Sequence, residues 1–232
     1  MKLNNKIITI DGPSASGKGV LSKKLSQHLD FKILDSGLLY RAYAYIFDLN
    51  SDHDVTKLNL KKLIFRNDPC RIRVFYNDHE ISDDLRLEDC AKKASELSAK
   101  KITRDNLIAL QRSFINDKGL IADGRDMGTV VFPEAKFKFF VTANEEVRIE
   151  RGYKELQKRG QKVNIRDLKM DIIKRDQTDR ERKLSPLSIT SDSIILDTSS
   201  LSQDEVFKLA LNSMELFKSV SYTHLTLPTI CS

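Results

Sequence analysis

At 232 residues, the chain is long enough to bury a core in one domain that carries an insertion. Hydrophobic residues supply 40% and charged residues 31%, which excludes global disorder, and no apolar run is long enough to cross a bilayer. The formal charge of +6 suits a polyanionic partner, either nucleic acid or a phosphorylated small molecule.

Lys6 to Asp11 reads as a buried strand, and Lys18 to Leu29 as a helix with Leu21, Leu25 and Leu29 at fourfold spacing. A short strand over Phe31 to Leu34 leads into a helix for which Ser36 is the expected cap. Leu58 to Phe65 reads as helical. The alternating run RIRVFYNDHEIS, with Asn77-Asp78 at its turn, then predicts a hairpin. Helices are expected at about Glu88 to Ala99 and Thr103 to Asn116. Strands return in GLIADG and KFKFFVTA, and two charged helices follow over Glu145 to Lys158 and Ile165 to Lys183. SIILDT is the last strand, before a helix from about Gln203 to Phe217.

Strands alternating with helices predict an α/β fold with a mostly parallel sheet covered on both faces. The hairpin breaks that rhythm and reads as a small inserted subdomain. The closing segment SVSYTHLTLPTICS contains no Lys, Arg, Asp or Glu, so residues 219–232 read as a non-native tail. The cysteines Cys70, Cys90 and Cys231 have neither disulfide nor zinc spacing, and the four histidines are scattered. No structural metal is expected, and the setting is expected to be cytoplasmic. MKLNNKIITI lacks the apolar region of a signal peptide, so export is not expected.

Of the nine glycines in the chain, Gly12, Gly17 and Gly19 fall close together in IDGPSASGKG. Gly12 to Lys18 matches G-x-x-x-x-G-K between a strand and a helix, the context a phosphate-binding loop requires. Small residues there expose backbone N–H groups, the helix N-terminus favours negative charge, and Lys18 adds a point charge for the β- and γ-phosphates. LDSGLLYR places Asp35, Ser36, Gly37, Tyr40 and Arg41 at a second strand end. GLIADGRDMGT places Asp123, Gly124, Arg125 and Asp126 at a third. Open α/β sheets build their sites at the carboxyl ends of strands, so the three segments predict one cleft. On the helix around KRDQTDRERK, Ile165, Leu168 and Ile172 form an apolar stripe that Arg175, Asp179 and Arg182 continue. A solvated, salt-bridged helix would also carry such charges. Their takeover of the inward stripe favours a fourth wall of the cleft.

With these segments located, the chain closely resembles bacterial cytidylate kinases. The matching pieces are IDGPSASGKG, LDSGLLYR, ASELSA, LIADGRDMGTVVFPEA, RDQTDRERK and SPL, spread over about residues 6 to 217. The resemblance implies a P-loop NTPase three-layer core with a parallel sheet. It also implies an inserted nucleoside-monophosphate-binding subdomain (about 37–116) with a small antiparallel sheet, and a short lid (about 148–164), all in one domain over 1–218. It implies transfer of the γ-phosphoryl of ATP, with Mg²⁺, onto CMP or dCMP.

Carried over, Gly12, Pro13, Ser14, Ala15, Ser16, Gly17, Lys18, Gly19 and Val20 surround the ATP phosphates. Ser36, Arg41 and Arg125 resemble the grip on the acceptor phosphate, beside Gly37 and Tyr40. Ser95, Arg104, Asp126 and Arg182 resemble cytosine readers, and Arg175 and Asp179 lie near the sugar. Arg148 and Arg151 match lid positions that face the transferring phosphates. Asp123 is expected to hold Mg²⁺ through water. No histidine base is needed, because a phosphate monoester with a second pKa near 6 is largely dianionic at neutral pH.

Two departures stand out. Val20 occupies a place where relatives carry Ser or Thr, and Gly152 replaces the second residue of an Arg-Arg pair. A kinase for UMP or AMP is the nearest competing expectation. A GTPase lacks support, since no Asn-Lys-x-Asp or Thr-Lys-x-Asp occurs. A nucleic-acid module is disfavoured because basic and acidic residues are interspersed rather than striped. ATP and CMP or dCMP are the expected partners, with neither nucleic acid nor membrane, and the protein is expected to be a monomer.

Overall fold

The computed structural model describes residues 6–50, 54, 58–68, 71–158, 160–161 and 163–223. Five parallel strands form the central sheet in the order β2-β6-β1-β7-β8: β1 (Ile7–Asp11), β2 (Lys32–Asp35), β6 (Leu120–Gly124), β7 (Phe137–Thr142) and β8 (Ser193–Asp197). Every residue of the central strand β1 is buried, so its isoleucines fall on both faces of the sheet rather than on one.

Successive β1 side chains point to opposite faces of the sheet. On one face, Ile7, Leu34 and Ala122 pack with α2 (Ser36–Leu49) and α4 (Lys101–Arg112) through Leu39, Tyr43 and Leu107. On the other, Ile8, Ile10 and Phe139 meet α1 (Lys18–Leu29) and α7 (Gln203–Thr223) through Leu21, Leu25, Val206 and Ala210. Asp11 aligns with Gly124, and Asp35 with Asp123. Three strand ends therefore finish at one level.

A second, antiparallel sheet contains β3 (Leu63–Asn67), β4 (Ile72–Tyr76) and β5 (His79–Glu80). Asn77 and Asp78 take φ of 48° and 65° between β4 and β5, the two left-handed positions of a two-residue hairpin turn. This sheet packs on Ala42 of α2 and on Leu85, next to α3 (Glu88–Ser98), through Val74 and Ile81. Helices α5 (Glu145–Lys158) and α6 (Ile165–Glu181) pair through Ile149, Leu168 and Ile172.

Four sequence expectations are corrected. Residues Leu58 to Phe65 do not form a helix. A single 3₁₀ turn over Leu60–Lys62 runs into β3, where Leu63 and Phe65 pack inward while Ile64 and Arg66 are exposed. That two-residue alternation, pinned by β4, is what decides for a strand. The cap of α2 is Asp35, whose Oδ1 accepts from the Leu38 N–H at 2.9 Å, while Ser36 lies inside the helix. On α6 the buried stripe begins at Leu168 because Ile165 is exposed, and Arg182 follows the helix as its C-cap. Helix α7 continues to Thr223, so no break in the backbone marks residue 218. Residues 224–232 of the expected tail lie outside the described residues, as do Cys70 and Cys231.

Candidate active site

A cleft of about 960 Å³ lies above the carboxyl ends of β1, β2 and β6, walled by α2, α3, α5 and α6. At its floor is the loop between β1 and α1. Gly12 has φ of 149°, and a Cβ there would stand 2.0 Å from the Val141 carbonyl oxygen, so only glycine fits beside β7. Gly17 takes φ of 98° at the N-cap of α1, and Ala15 is left-handed at φ 56°. A non-glycine residue held in that region is strained, which is common at ligand-gripping turns. The Ser16 hydroxyl is buried and has no hydrogen-bond partner among the described residues. These features fit a cradle for phosphate oxygens.

Lys18 opens α1, is 7% exposed, and its Nζ donates to the Pro13 carbonyl at 2.7 Å. Burial, then the nearby Arg125 cation, push its pKa down to about 8, against the pull of Asp123, Asp11 and Asp179. Asp123 is also buried. It accepts from Ser22 Oγ at 3.0 Å, and desolvation lifts its pKa to about 7, despite the opposing pull of Lys18. A carboxylate so placed gains from a cation. Such a carboxylate could hold Mg²⁺, an ion that ordinarily keeps several waters and takes only one or two protein carboxylates besides phosphate oxygens. Among the described residues no group of three His, Cys, Asp or Glu could by itself hold a metal ion.

The arginines of the cleft are held by anionic or carbonyl partners. Arg125 donates from Nε to Asp179 Oδ2 at 2.8 Å and from Nη2 to Ser14 Oγ at 3.0 Å. Arg104 donates from Nη1 to Asp126 Oδ2 at 2.7 Å and from Nε to the Ser98 carbonyl at 2.8 Å, with Tyr40 beneath it at 5.7 Å. Arg182 reaches the Ser185 carbonyl at 2.7 Å and Asp179 Oδ1 at 3.4 Å. Arg175 is ion-paired with Glu88 of α3. Arg41 donates to the Leu85 carbonyl at 3.1 Å, and Ser36 Oγ accepts from Gln111 at 2.9 Å. Arg151 grips Thr198, at the end of β8, through both the hydroxyl and the carbonyl at 2.7 Å each.

Ser14, Ala15, Ser16, Gly17, Lys18, Gly19, Val20, Ser36, Gly37, Tyr40, Arg41, Ser95, Arg104, Asp123, Arg125, Asp126, Arg151, Arg175, Asp179 and Arg182 all line this one cleft. Gly12 and Pro13, the first residues of the loop, are not among the residues that line the cleft. Arg148 does not line the cleft either. Its guanidinium is buried, ion-paired with Asp176, and bonded to the Ser14 and Ala143 carbonyls at 3.1 Å each. Through these bonds Arg148 braces the loop at Ser14. Breaking one partner of such a buried pair costs about 3–5 kcal/mol. Val20 borders the cleft and is 38% exposed. A Cβ on Gly152 would rest 3.4 Å from Ile172 Cδ1 and 4.0 Å from the Ala15 Cβ, so the glycine lies where α6 and the loop pack against the lid helix.

Several residues were not singled out by the sequence. Asp11 accepts from the N–H groups of Met127 and Gly128 at 2.9 and 2.7 Å and fixes the π-helical turn over Met127–Val131, just after Asp126. Burial lifts its pKa to about 6, although those two N–H groups oppose the shift. Asp176 holds Ser14 N and Arg148, Glu88 holds Arg175, and Thr198 holds Arg151. For Asp176 the signal was present, since Leu168, Ile172 and Asp176 recur at fourfold spacing on the buried stripe.

A family model described as cytidylate kinase matches residues 8–216. A cytidylate kinase from Shewanella baltica (strain OS155) is 42% identical over 214 residues, 89% of this chain and 93% of that relative. One from Nitrosococcus oceani is 42% identical over 213 residues, covering 88% and 94%. A third, from a Shewanella strain (W3-18-1), is 41% identical over 213 residues, covering 88% and 93%.

Proposed function

The chain belongs to the cytidylate kinase family and is a nucleoside monophosphate kinase; from that premise we propose how its cleft carries the γ-phosphoryl group of ATP to CMP and dCMP. The loop from Gly12 to Val20 holds the ATP phosphates, with Lys18 on the β- and γ-phosphates. Arg125, Arg41 and Ser36 hold the acceptor phosphate. Asp126, Arg104, Ser95 and Arg182 read the base, and Arg175 and Asp179 contact the sugar. Arg151, at the lid helix, balances the charge that spreads over the transferring group. Arg148 acts from below by holding the loop.

The single observation that carries this reading is the buried pair Arg104–Asp126, which faces the same cleft as Lys18. A carboxylate accepts from the exocyclic amino group of cytosine, while the arginine donates to the ring acceptors. Uracil would present a carbonyl to Asp126, and a site built to hydrogen-bond one edge rejects the other strongly.

The reaction itself needs little covalent help. An oxygen of the CMP phosphate dianion bonds to the γ-phosphorus as the bond to the β–γ bridging oxygen breaks, giving CDP and ADP. The obstacle is the approach of two anions, and positioned cations lower it by orientation and electrostatic stabilisation. Mg²⁺, held by Asp123 through water, would supply further neutralisation at the β- and γ-phosphates.

One domain spans 1–218, with residues 37–116 as the acceptor-binding insert and 148–164 as the lid, both closing over the two nucleotides. No helix among the described residues is long and apolar enough to cross a membrane. The protein is assigned to the cytoplasm, as a monomer without nucleic-acid partners. Phosphorus NMR of protein with ATP and CMP tests the chemistry. CDP and ADP should accumulate in equal amounts with Mg²⁺ and stop when EDTA is added. ATP hydrolysis to free phosphate without CDP would reject the assignment.

A further inference from the structure

We propose that Ser14, a residue of the donor-phosphate loop, is a positioning residue for the acceptor site. All three of its polar groups are engaged by residues outside the loop. Its N–H donates to Asp176 Oδ1 at 3.0 Å, its carbonyl accepts from Arg148 Nη1 at 3.1 Å, and its hydroxyl accepts from Arg125 Nη2 at 3.0 Å. Asp176 and Asp179 sit one turn apart on α6, and Asp179 holds the Nε edge of the same arginine at 2.8 Å. Arg148 and Asp176 are both buried, so the anchor beneath Ser14 is rigid.

The geometry explains why a hydroxyl matters at this place. A guanidinium is a planar fork, and fixing two of its edges fixes its plane. Asp179 fixes the Nε edge of Arg125, the Gly124 carbonyl takes Nη1 at 3.3 Å, and Ser14 Oγ takes Nη2. Without the hydroxyl the Nη edge keeps only the longer 3.3 Å bond to the Gly124 carbonyl, so the guanidinium plane is held less firmly. Ser14 thus ties the orientation of an acceptor-phosphate ligand to the loop that holds the donor, and sets the two phosphates in register. This inference rests on Arg125 being a ligand of the acceptor phosphate.

Steady-state kinetics on Ser14→Ala test it, with CMP varied at saturating Mg-ATP and Mg-ATP varied at saturating CMP. The KM for CMP should rise by about five- to tenfold, the scale of losing one ordinary hydrogen bond. The KM for ATP should stay within about twofold, although the substituted residue belongs to the ATP loop. Ser14→Thr keeps the hydroxyl and should restore the CMP value. A rise in the KM for ATP alone, equal rises for both substrates, or no change in either would overturn the proposal. Arg125→Lys in the same assay separates the premise from the inference. If it leaves the KM for CMP unchanged, the acceptor-site assignment itself fails. If it raises that KM while Ser14→Ala does not, only the role of Ser14 is rejected.

Discussion

Lys18→Met is expected to lower kcat by about three orders of magnitude, the upper range for removing one preorganised charge from a phosphoryl-transfer site. The KM for CMP should stay within about threefold, because Lys18 stands at the donor loop and touches none of the acceptor-reading residues. The effect is large because the ammonium is buried. In a low-dielectric site a charge acts on its target at full strength and needs no solvent to reorganise. The same burial makes the group titratable within reach of ordinary buffers. Its pKa is pushed down to about 8, so the cation is present below that pH and is lost as pH rises through it. In the free enzyme, kcat/KM for ATP should therefore decline above about pH 8, following the Lys18 titration. With ATP bound, phosphate charge favours the ammonium, so kcat should persist to higher pH. A kcat/KM profile flat to about pH 9.5 would contradict this placement of the charge.

Asp126→Asn is the second large effect. It should cut kcat/KM for CMP by at least about a hundredfold, because a carboxylate that accepts from the cytosine amino group becomes an amide that can present a donor instead. The same change should raise kcat/KM for UMP, whose carbonyl now meets that donor. The CMP-to-UMP ratio should then fall further than either constant alone. Asp126 is also the partner of Arg104, whose side chain is only 11% exposed, so a thermal melt must accompany the kinetics. A folded variant with an unchanged CMP-to-UMP ratio would remove Asp126 from base recognition.

The sequence made the local parts of this account legible. The phosphate loop, the strand ends carrying Asp35 and Asp123, and helix α1 from Lys18 to Leu29 each depend on neighbours in the chain, and each is where the pattern places it. Leu58 to Phe65 misled because its apolar residues, read locally, say nothing of a strand that pairs with β4. Ser36 misled for a finer reason. Both Asp35 and Ser36 can cap, and the end of β2 at Asp35 decides which one is left extended.

The unread part of the site is built from contacts between distant segments. Asp11 reaches Gly128, and Asp176 reaches Ser14, across separations of 117 and 162 residues. No local spacing encodes those bonds. Arg148 shows the same limit from the other side. The resemblance places it among the lid arginines, and only the structure adds the bonds to Asp176 and two carbonyls that tie it to the loop. What the sequence did carry was the direction of the α6 stripe, from which Asp176 could have been identified as a buried acid.

The most direct test of the account is a competition. Equimolar CMP, dCMP, UMP and AMP are offered to the full chain with limiting Mg-ATP, and the diphosphates are separated and counted. With each acceptor labelled in its base, so that ADP made from AMP is told from the ADP that ATP leaves behind, CDP and dCDP are expected as nearly all of the labelled diphosphate, formed at a rate well above ATP hydrolysis without acceptor. Comparable UDP or ADP formed from AMP, or an equal yield from all four acceptors, would contradict the reading of Arg104 and Asp126 as the cytosine edge of the cleft.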